Sequence, residues 1–461
     1  MSSNNSKKHR KQRALILQGG GALGAYEVGV LKILCQKLAV EDKENNKDSD
    51  NRMIFDIVIG SSIGAMNGAV LVSQFLKTGS LEEAVKQLEN FWTDSDHGLA
   101  SNLLLNIETL PALTPWKEHE DWYWRRKLSG IASKELAKRY YSVKQLLISG
   151  AKNVYLPPTI RHDYKFLDSS NEWVVYNNEP LKGSIEHFAG FPISTSFDEN
   201  QPRLLVTSVD IAEGKTVIFD SYKKADGSRK SEYGKYVNGR HEHVIKYPGI
   251  LIEHVMASGT LPEFYDPQEI DGRKFWDAGI LNNTPFRELV LSHQDYWKNV
   301  AHEDKIPDLE LYMVNVHPSK GDVDLTDYDA TKDRHNDIKY CDRNSHYDEQ
   351  VVAIQTDFID MIKELKKTAM KHIESEEAKK DFESDYENFL KNTKSNTTDA
   401  NTGRNRTFQD LIKSGINLTK VVRIENTNYT NSYSGKTGDF TPEAIWSLIK
   451  QGEEDASNVL E

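Results

Sequence analysis

Ile54-Phe55-Asp56-Ile57-Val58-Ile59-Gly60-Ser61-Ser62-Ile63-Gly64-Ala65 reads as an apolar strand, Ile54 to Ile59, that hands over to a helix of small residues through Gly60-x-Ser62-x-Gly64. Glycines on either side of a serine permit a turn sharp enough to expose its hydroxyl, and the helix N-terminus beneath favours a developing negative charge. Alone, such a pentapeptide is also an ordinary strand-to-helix turn. Upstream the same unit occurs once more. Ala14 to Leu17 forms a short buried strand, Gln18-Gly19-Gly20-Gly21 a tight loop, and the next residues a helical pattern with Tyr26, Val30, Ile33 and Leu34 on one face. Two successive strand, loop, helix units imply a parallel sheet with helices packed on it.

The glycine loop has two chemistries open to it. Consecutive glycines after a strand let several backbone N–H groups point into one space, which suits an oxyanion as well as a phosphate. Gly19-Gly20-Gly21-Ala22-Leu23-Gly24 also satisfies G-x-G-x-x-G, so a dinucleotide-binding oxidoreductase is the rival. That rival expects an acid at the tip of the second strand. The required distance falls instead in the hydrophilic connection at Glu41 to Glu44, and the second strand ends in Gly-Ser-Ser.

A third block runs Ala257-Ser258-Gly-Thr-Leu-Pro262-Glu-Phe264 and then Asp271-Gly272 through Trp276-Asp277-Ala278-Gly279 to Asn282, Asn283 and Pro285. On its own Asp277 is a turn residue. Together, the order and spacing of the three blocks over residues 14 to 320 resemble the patatin-like phospholipases. The resemblance implies a three-layer α/β/α sandwich and a lipid acyl hydrolase working through a Ser-Asp dyad. It implies Ser62 as nucleophile, Asp277 as base and an oxyanion hole of backbone N–H groups at Gly20, Gly21 and Ala22. Gly19, Gly24, Gly60, Gly64 and Gly279 would shape the turns. No metal and no cofactor are implied, and the partner is a lipid or ester substrate. Two positions depart from the family pattern: Leu23 stands where many relatives carry Arg or Lys, and the acid is followed by Ala-Gly.

A carboxylate near its reference pKa of about 3.9 is a weak base at neutral pH, so the dyad requires Asp277 to be buried, and Trp276 beside it suggests an apolar surround. A Ser-His-Asp triad is the rival within hydrolases, with His254 among 14 histidines as a candidate. Against it, only one strand precedes Ser62, where α/β-hydrolases place several. A catalytically silent lipid-binding or scaffold protein is the reading from outside enzymes.

The chain has 461 residues, 38% hydrophobic and 28% charged, with a formal charge of -12. An acidic average surface argues against nucleic acid as a partner. Cys35 and Cys341 are the only cysteines, which excludes a disulfide framework and fits a reducing, cytoplasmic setting. No apolar run approaches the roughly 18 residues of a membrane span. Residues 1–13, with Lys7, Lys8, Arg10, Lys11 and Arg13, read as a disordered basic tail, with weak peripheral contact to anionic membranes as the alternative.

Around the motifs, Ser80-Leu-Glu-Glu83 is a capping box, and Leu204 to Asp210 with Lys215 to Asp220 is a hairpin. Within residues 100 to 150, Trp116, Trp122, Tyr123 and Trp124 cluster at helical spacing. Such aromatics pack a core or form a lid. Residues 321–461 form a mainly helical C-terminal extension outside the resemblance. In it, Asp322, Asp324, Asp327, Asp329 and Asp333 mark an irregular acidic linker without calcium-loop spacing. Tyr347 to Lys391 is helical with a break near Glu374 to Lys380, and its stripe Val351, Ile354, Phe358, Met361, Leu365 needs a partner, either the catalytic domain or a second copy. Asn392 to Arg406 reads as an exposed loop, Val421 to Ile424 as a strand, and Thr441-Pro442 opens a final helix.

Overall fold

The computed structural model describes residues 10–44, 52–101, 143, 146–163, 168–222, 245–262, 264–303, 305–321, 328–398, 404–427 and 433–461. Lys7, Lys8, the cluster Trp116 to Trp124, Asp322, Asp324 and Asp327 lie outside these residues. In chain order the elements are β1 (Gln12–Leu17), α1 (Ala25–Glu44), β2 (Ile57–Ser61), α2 (Ile63–Thr78), α3 (Leu81–Thr93), β3 (Thr159–Asp163), β4 (Asp168–Val175), α4 (Glu179–Phe188), β5 (Arg203–Asp210), β6 (Lys215–Asp220), β7 (Ile245–Pro248) and α5 (Ile252–Ser258). They continue as β8 (Gln268–Ile270), β9 (Arg273–Asp277), α6 (Phe286–Asp295), β10 (Leu309–Asn315), α7 (Tyr328–Tyr340), α8 (Ser345–His372), α9 (Glu376–Asn392), β11 (Lys394–Thr398), β12 (Asn405–Thr407), α10 (Phe408–Lys413), β13 (Leu418–Glu425) and α11 (Pro442–Leu460).

One mixed sheet organises the chain in the order β13-β10-β1-β2-β5-β6-β7, with the β8–β9 hairpin attached to β5 through β9. From β13 to β5 the strands run parallel. Their side chains alternate between two cores, as buried strands covered on both faces must. In β1, Leu15 and Leu17 join one core, built with Val28 and Leu31 of α1, Val70 of α2, Leu88 of α3 and Ile449 of α11. Ala14 and Ile16 join the other, with Phe286 and Leu289 of α6, Trp297 and Val352 of α8. The result is the expected α/β/α sandwich.

The C-terminal region contributes more than helices. β13 extends the sheet beside β10, and α11 lies along α1. The two helices cross where glycines face each other: a Cβ on Gly29 would stand 1.8 Å from the Ile449 carbonyl oxygen, and one on Gly452 2.2 Å from that of Tyr26. The Tyr26 hydroxyl, 3.1 Å from Asp455 Oδ2, fixes the crossing.

Several boundaries differ from the sequence expectations. β1 starts at Gln12, inside the expected tail, because Arg13 is paired within the fold: its guanidinium donates to Asp42 at 2.8 Å and Glu310 at 3.2 Å, and its N–H to Asp56 at 2.9 Å. β2 starts at Ile57, not Ile54. Ser80 does cap α3 by accepting from the Glu83 N–H, while its own N–H is taken by Thr78 Oγ1. Asp329 and Asp333 lie in helix α7, since Ser434 and Lys436 supply distant partners that a local reading could not see. Lys394–Thr398 and Asn405–Thr407 pair as a small antiparallel hairpin in place of a loop. The long helix breaks as expected, between α8 and α9. Its docked edge, however, is Val352, Thr356 and Ile359, and the stripe from Val351 to Leu365 is exposed, Ile354 by 67%.

Candidate active site

Ser62 stands between the last residue of β2 and the first of α2 with φ 53° and ψ −125°, a backbone region costly for a side chain other than glycine. The flanking glycines make that turn possible. A Cβ on Gly60 would lie 2.3 Å from the Gly64 carbonyl carbon, and one on Gly64 2.4 Å from the Leu17 carbonyl oxygen. The Ser62 N–H does not hang free, because it donates to Ser258 Oγ at the end of α5, 2.8 Å away.

Asp277 reaches this turn through strand register. In β5, Thr207 pairs with Ser61 and Ser208 with Asp277. Because β6 occupies the other edge of β5 throughout residues 205–210, β9 must continue along the edge that β2 leaves. The Ser62 hydroxyl consequently meets the Asp277 carboxylate closely enough to lower its pKa. The Gly279 N–H donates to Asp277 Oδ1 at 2.7 Å, and the Asp277 N–H donates to the Thr260 carbonyl at 2.9 Å. Burial nevertheless dominates: with 4% of Asp277 exposed, its pKa is pushed up to about 6, the Ser62 and Gly279 contacts moderating the rise. Trp276 is not the source of this environment, since strand alternation turns it away from Asp277. Partly buried Tyr265 lies close instead, its pKa raised first by desolvation and further by the charges of Tyr176 and Asp277.

The glycine loop abuts the serine. A Cβ on Gly19 would stand 2.9 Å from Ser62 Cβ. Gly20 and Gly21 are partly exposed at the turn, while Ala22 is wholly buried behind them. Leu23 is 3% exposed and packs in the core, and Gly24 makes room for Ile63. Asn283 locks the loop to the segment after Asp277, accepting from the Gly19 N–H through its carbonyl at 3.4 Å and donating through Nδ2 to the Gly19 carbonyl at 2.9 Å. Ser258 and Asn283 belonged to the third sequence block without an assigned task, and only contacts across the fold reveal one.

His254 holds a turn rather than a proton relay. Its Nδ1 accepts from the Leu251 N–H at 3.0 Å, the ring stacks on Phe219, and burial pushes its pKa down to about 4. Among the described residues no group of three or more His, Cys, Asp or Glu side chains could hold a metal ion.

The sequence profile of the patatin-like phospholipases matches residues 15–290, which takes in the glycine loop, Ser62 and Asp277. The chain belongs to the patatin-like phospholipase family. This patatin-like chain is therefore placed, at family level, among the lipid acyl hydrolases. Its fold also aligns with the crystal structure of VipD from Legionella pneumophila, at 14% identity and a TM-score of 0.31, over 98% of this chain and 67% of that one. No curated protein matches the chain. Among the described residues no helix is long and apolar enough to cross a membrane.

Proposed function

We propose that this patatin-like chain hydrolyses carboxylic esters of lipids through an acyl-enzyme on Ser62, with Asp277 as general base. The observation that carries the proposal is the Ser62 hydroxyl set against a buried carboxylate whose pKa is pushed up to about 6, near the range in which a base both accepts a proton and is ionised at neutral pH. Asp277 takes the hydroxyl proton as Ser62 Oγ attacks the ester carbonyl. The oxyanion of the tetrahedral intermediate is held by the N–H groups of Gly20, Gly21 and Ala22. Collapse expels the alcohol, which receives the proton from Asp277, and leaves acyl-Ser62. Water, deprotonated by Asp277, then attacks the acyl carbonyl, and the fatty acid departs as the proton returns to Ser62 Oγ.

Both cysteines are free, which supports a reducing compartment such as the cytoplasm. Fluorophosphonate labelling tests the nucleophile, and a panel of phospholipids, glycerides and thioesters tests the substrate class. Expected are one label per chain, lost in Ser62→Ala, and release of fatty acid by the parent chain alone. A folded parent chain that neither takes the label nor hydrolyses any of these lipids would point to a silent lipid-binding protein.

A further inference from the structure

The family match ends at residue 290, yet the glycine loop is held from behind by residues far beyond it. The turn at Lys436–Gly438 presses on it directly: a Cβ on Gly21, whose φ is 57°, would lie 2.3 Å from the Thr437 carbonyl oxygen. Beside Thr437, Lys436 Nζ pairs with Asp337 at 2.7 Å and Asp333 at 3.1 Å, two α7 carboxylates that are almost wholly buried. Asp337 also meets His317 Nδ1 at 3.3 Å, and His317 Nε2 lies 3.3 Å from where a Gly20 Cβ would be. At the end of α7, the Tyr340 carbonyl accepts from Gln18 Nε2 at 3.3 Å and from Asn283 Nδ2 at 2.8 Å, the same amide that holds Gly19.

Gln18, Gly19, Gly20 and Gly21, four consecutive residues of the loop, thus each touch this assembly or a residue it binds. Burying two carboxylates and an ammonium carries a desolvation penalty that their pairing must offset, so the cluster is a costly way merely to hold a turn in place. A donor aimed at an oxyanion, in contrast, must be fixed to within about 0.5 Å to be effective. Glycines cannot provide that rigidity themselves.

We propose that α7 and the 433–439 turn, keyed together by Lys436, act as a brace that positions the Gly20 and Gly21 N–H groups for transition-state binding, making Lys436 and Asn283 positioning residues of the hydrolase. The brace rests on the reading of the glycine loop as an oxyanion hole. Its effect belongs to kcat, because the oxyanion exists only in the transition state and the ground-state ester does not depend on those donors.

The test uses the full chain and a short-chain p-nitrophenyl ester, with kcat and KM measured for Lys436→Met, Lys436→Arg and Asn283→Ala, and folding followed by circular dichroism. Lys436→Met and Asn283→Ala are each expected to lower kcat about 10- to 100-fold, somewhat less than outright removal of an oxyanion donor, with KM within about threefold of the parent. Lys436→Arg, which keeps the charge, is expected to recover most of the loss. Should Lys436→Met fail to fold once Asp333 and Asp337 lose the Lys436 ammonium, Asn283→Ala decides alone, since it leaves the charge cluster intact. Folded variants with kcat within twofold of the parent overturn the brace, as does a loss confined to KM. Ser62→Ala runs alongside: hydrolysis that survives it would overturn the nucleophile assignment, whereas a dead Ser62→Ala beside fully active brace variants would overturn the brace only.

Discussion

Asp277 follows Ser61 one rung later along the same edge of β5, paired with Ser208 where Ser61 is paired with Thr207. Two strands from distant parts of the chain thus meet end to end, and the residue after the first faces the last residue of the second. The Thr207 hydroxyl, donating to the Gly60 carbonyl at 3.0 Å, fastens the joint from the β5 side. In the proposed dyad, this register would hold Asp277 beside Ser62 without a third member to orient it.

The raised pKa of Asp277 predicts the pH dependence of turnover. With the base ionised only above about 6, kcat/KM for a small ester should fall tenfold per pH unit below that point and level off above it. Asp277→Asn, unable to accept the proton, should remove this limb and cost on the order of 10² to 10⁴ in kcat. Stopped assays from pH 4.5 to 8 check both, and a limb centred near pH 4 would contradict a desolvated base.

The same burial has a price in stability, with a definite sign. Asp277 has a folded pKa of about 6 against 3.8 for an ordinary aspartate, so the native state holds its proton more tightly. Stability on this account is present at low pH and is lost as pH rises between the two values, by up to about 3 kcal/mol at 1.36 kcal/mol per unit. Asp277→Asn should therefore be more stable than the parent at pH 7 and lose that advantage by pH 4. Ser62→Gly should also gain, by about 1 kcal/mol, where Ser62→Ala gains little, because only glycine relieves a φ of 53°. Urea titrations at pH 4 and pH 7 measure both effects.

The parts of this fold that announce themselves in the sequence are those with local causes. Apolar runs give β1, β5, β6 and β10, and the serine turn is legible because only glycine fits at Gly60 and Gly64. What escapes a local reading depends on partners far away. Arg13 looks like tail until Asp42 and Glu310 neutralise it, and Asp333 looks like linker until Lys436 arrives from 103 residues on. Ser258 and Asn283 were in view as letters of a motif, but their tasks are contacts to the Ser62 and Gly19 backbones. Which edge of α8 docks on the sheet is not legible locally, because Val352 and Ile359 lie beside a longer and more apolar stripe on the same helix.

That exposed stripe carries its own expectation. Val351, Ile354, Phe358, Met361 and Leu365 alternate at three and four residues, the spacing of a narrow seam that another helix can enter, and all five are at least 37% exposed. A second copy of the chain is the proposed occupant. Sedimentation equilibrium should show a reversible dimer, and Ile354→Glu with Met361→Glu should shift it to monomer while leaving ester hydrolysis intact. A parent chain that stays monomeric at every concentration would remove self-association through this face.

The last expectation concerns Ser258, whose hydroxyl oxygen is the acceptor for the Ser62 N–H at 2.8 Å and is wholly buried. The strained Ser62 backbone needs something to hold it, since conformations of that kind persist only where surrounding contacts over-determine them. Ser258 is one such contact, and it comes from α5, an element independent of the β2 turn. Ser258→Ala leaves the half-buried Ser62 N–H without its partner, a loss of about 1 kcal/mol, and lets the serine turn relax away from Asp277. Turnover of a small ester should drop by roughly 10-fold or more, and fluorophosphonate labelling should slow in parallel because both reactions need Ser62 Oγ beside its base. KM should move little. Ser258→Cys, which keeps a weaker acceptor at the same place, should fall between the parent and Ser258→Ala in both rates. Labelling and hydrolysis that remain at the parental rate in a folded Ser258→Ala chain would show that the turn is held by Gly60, Gly64 and the start of α2 alone.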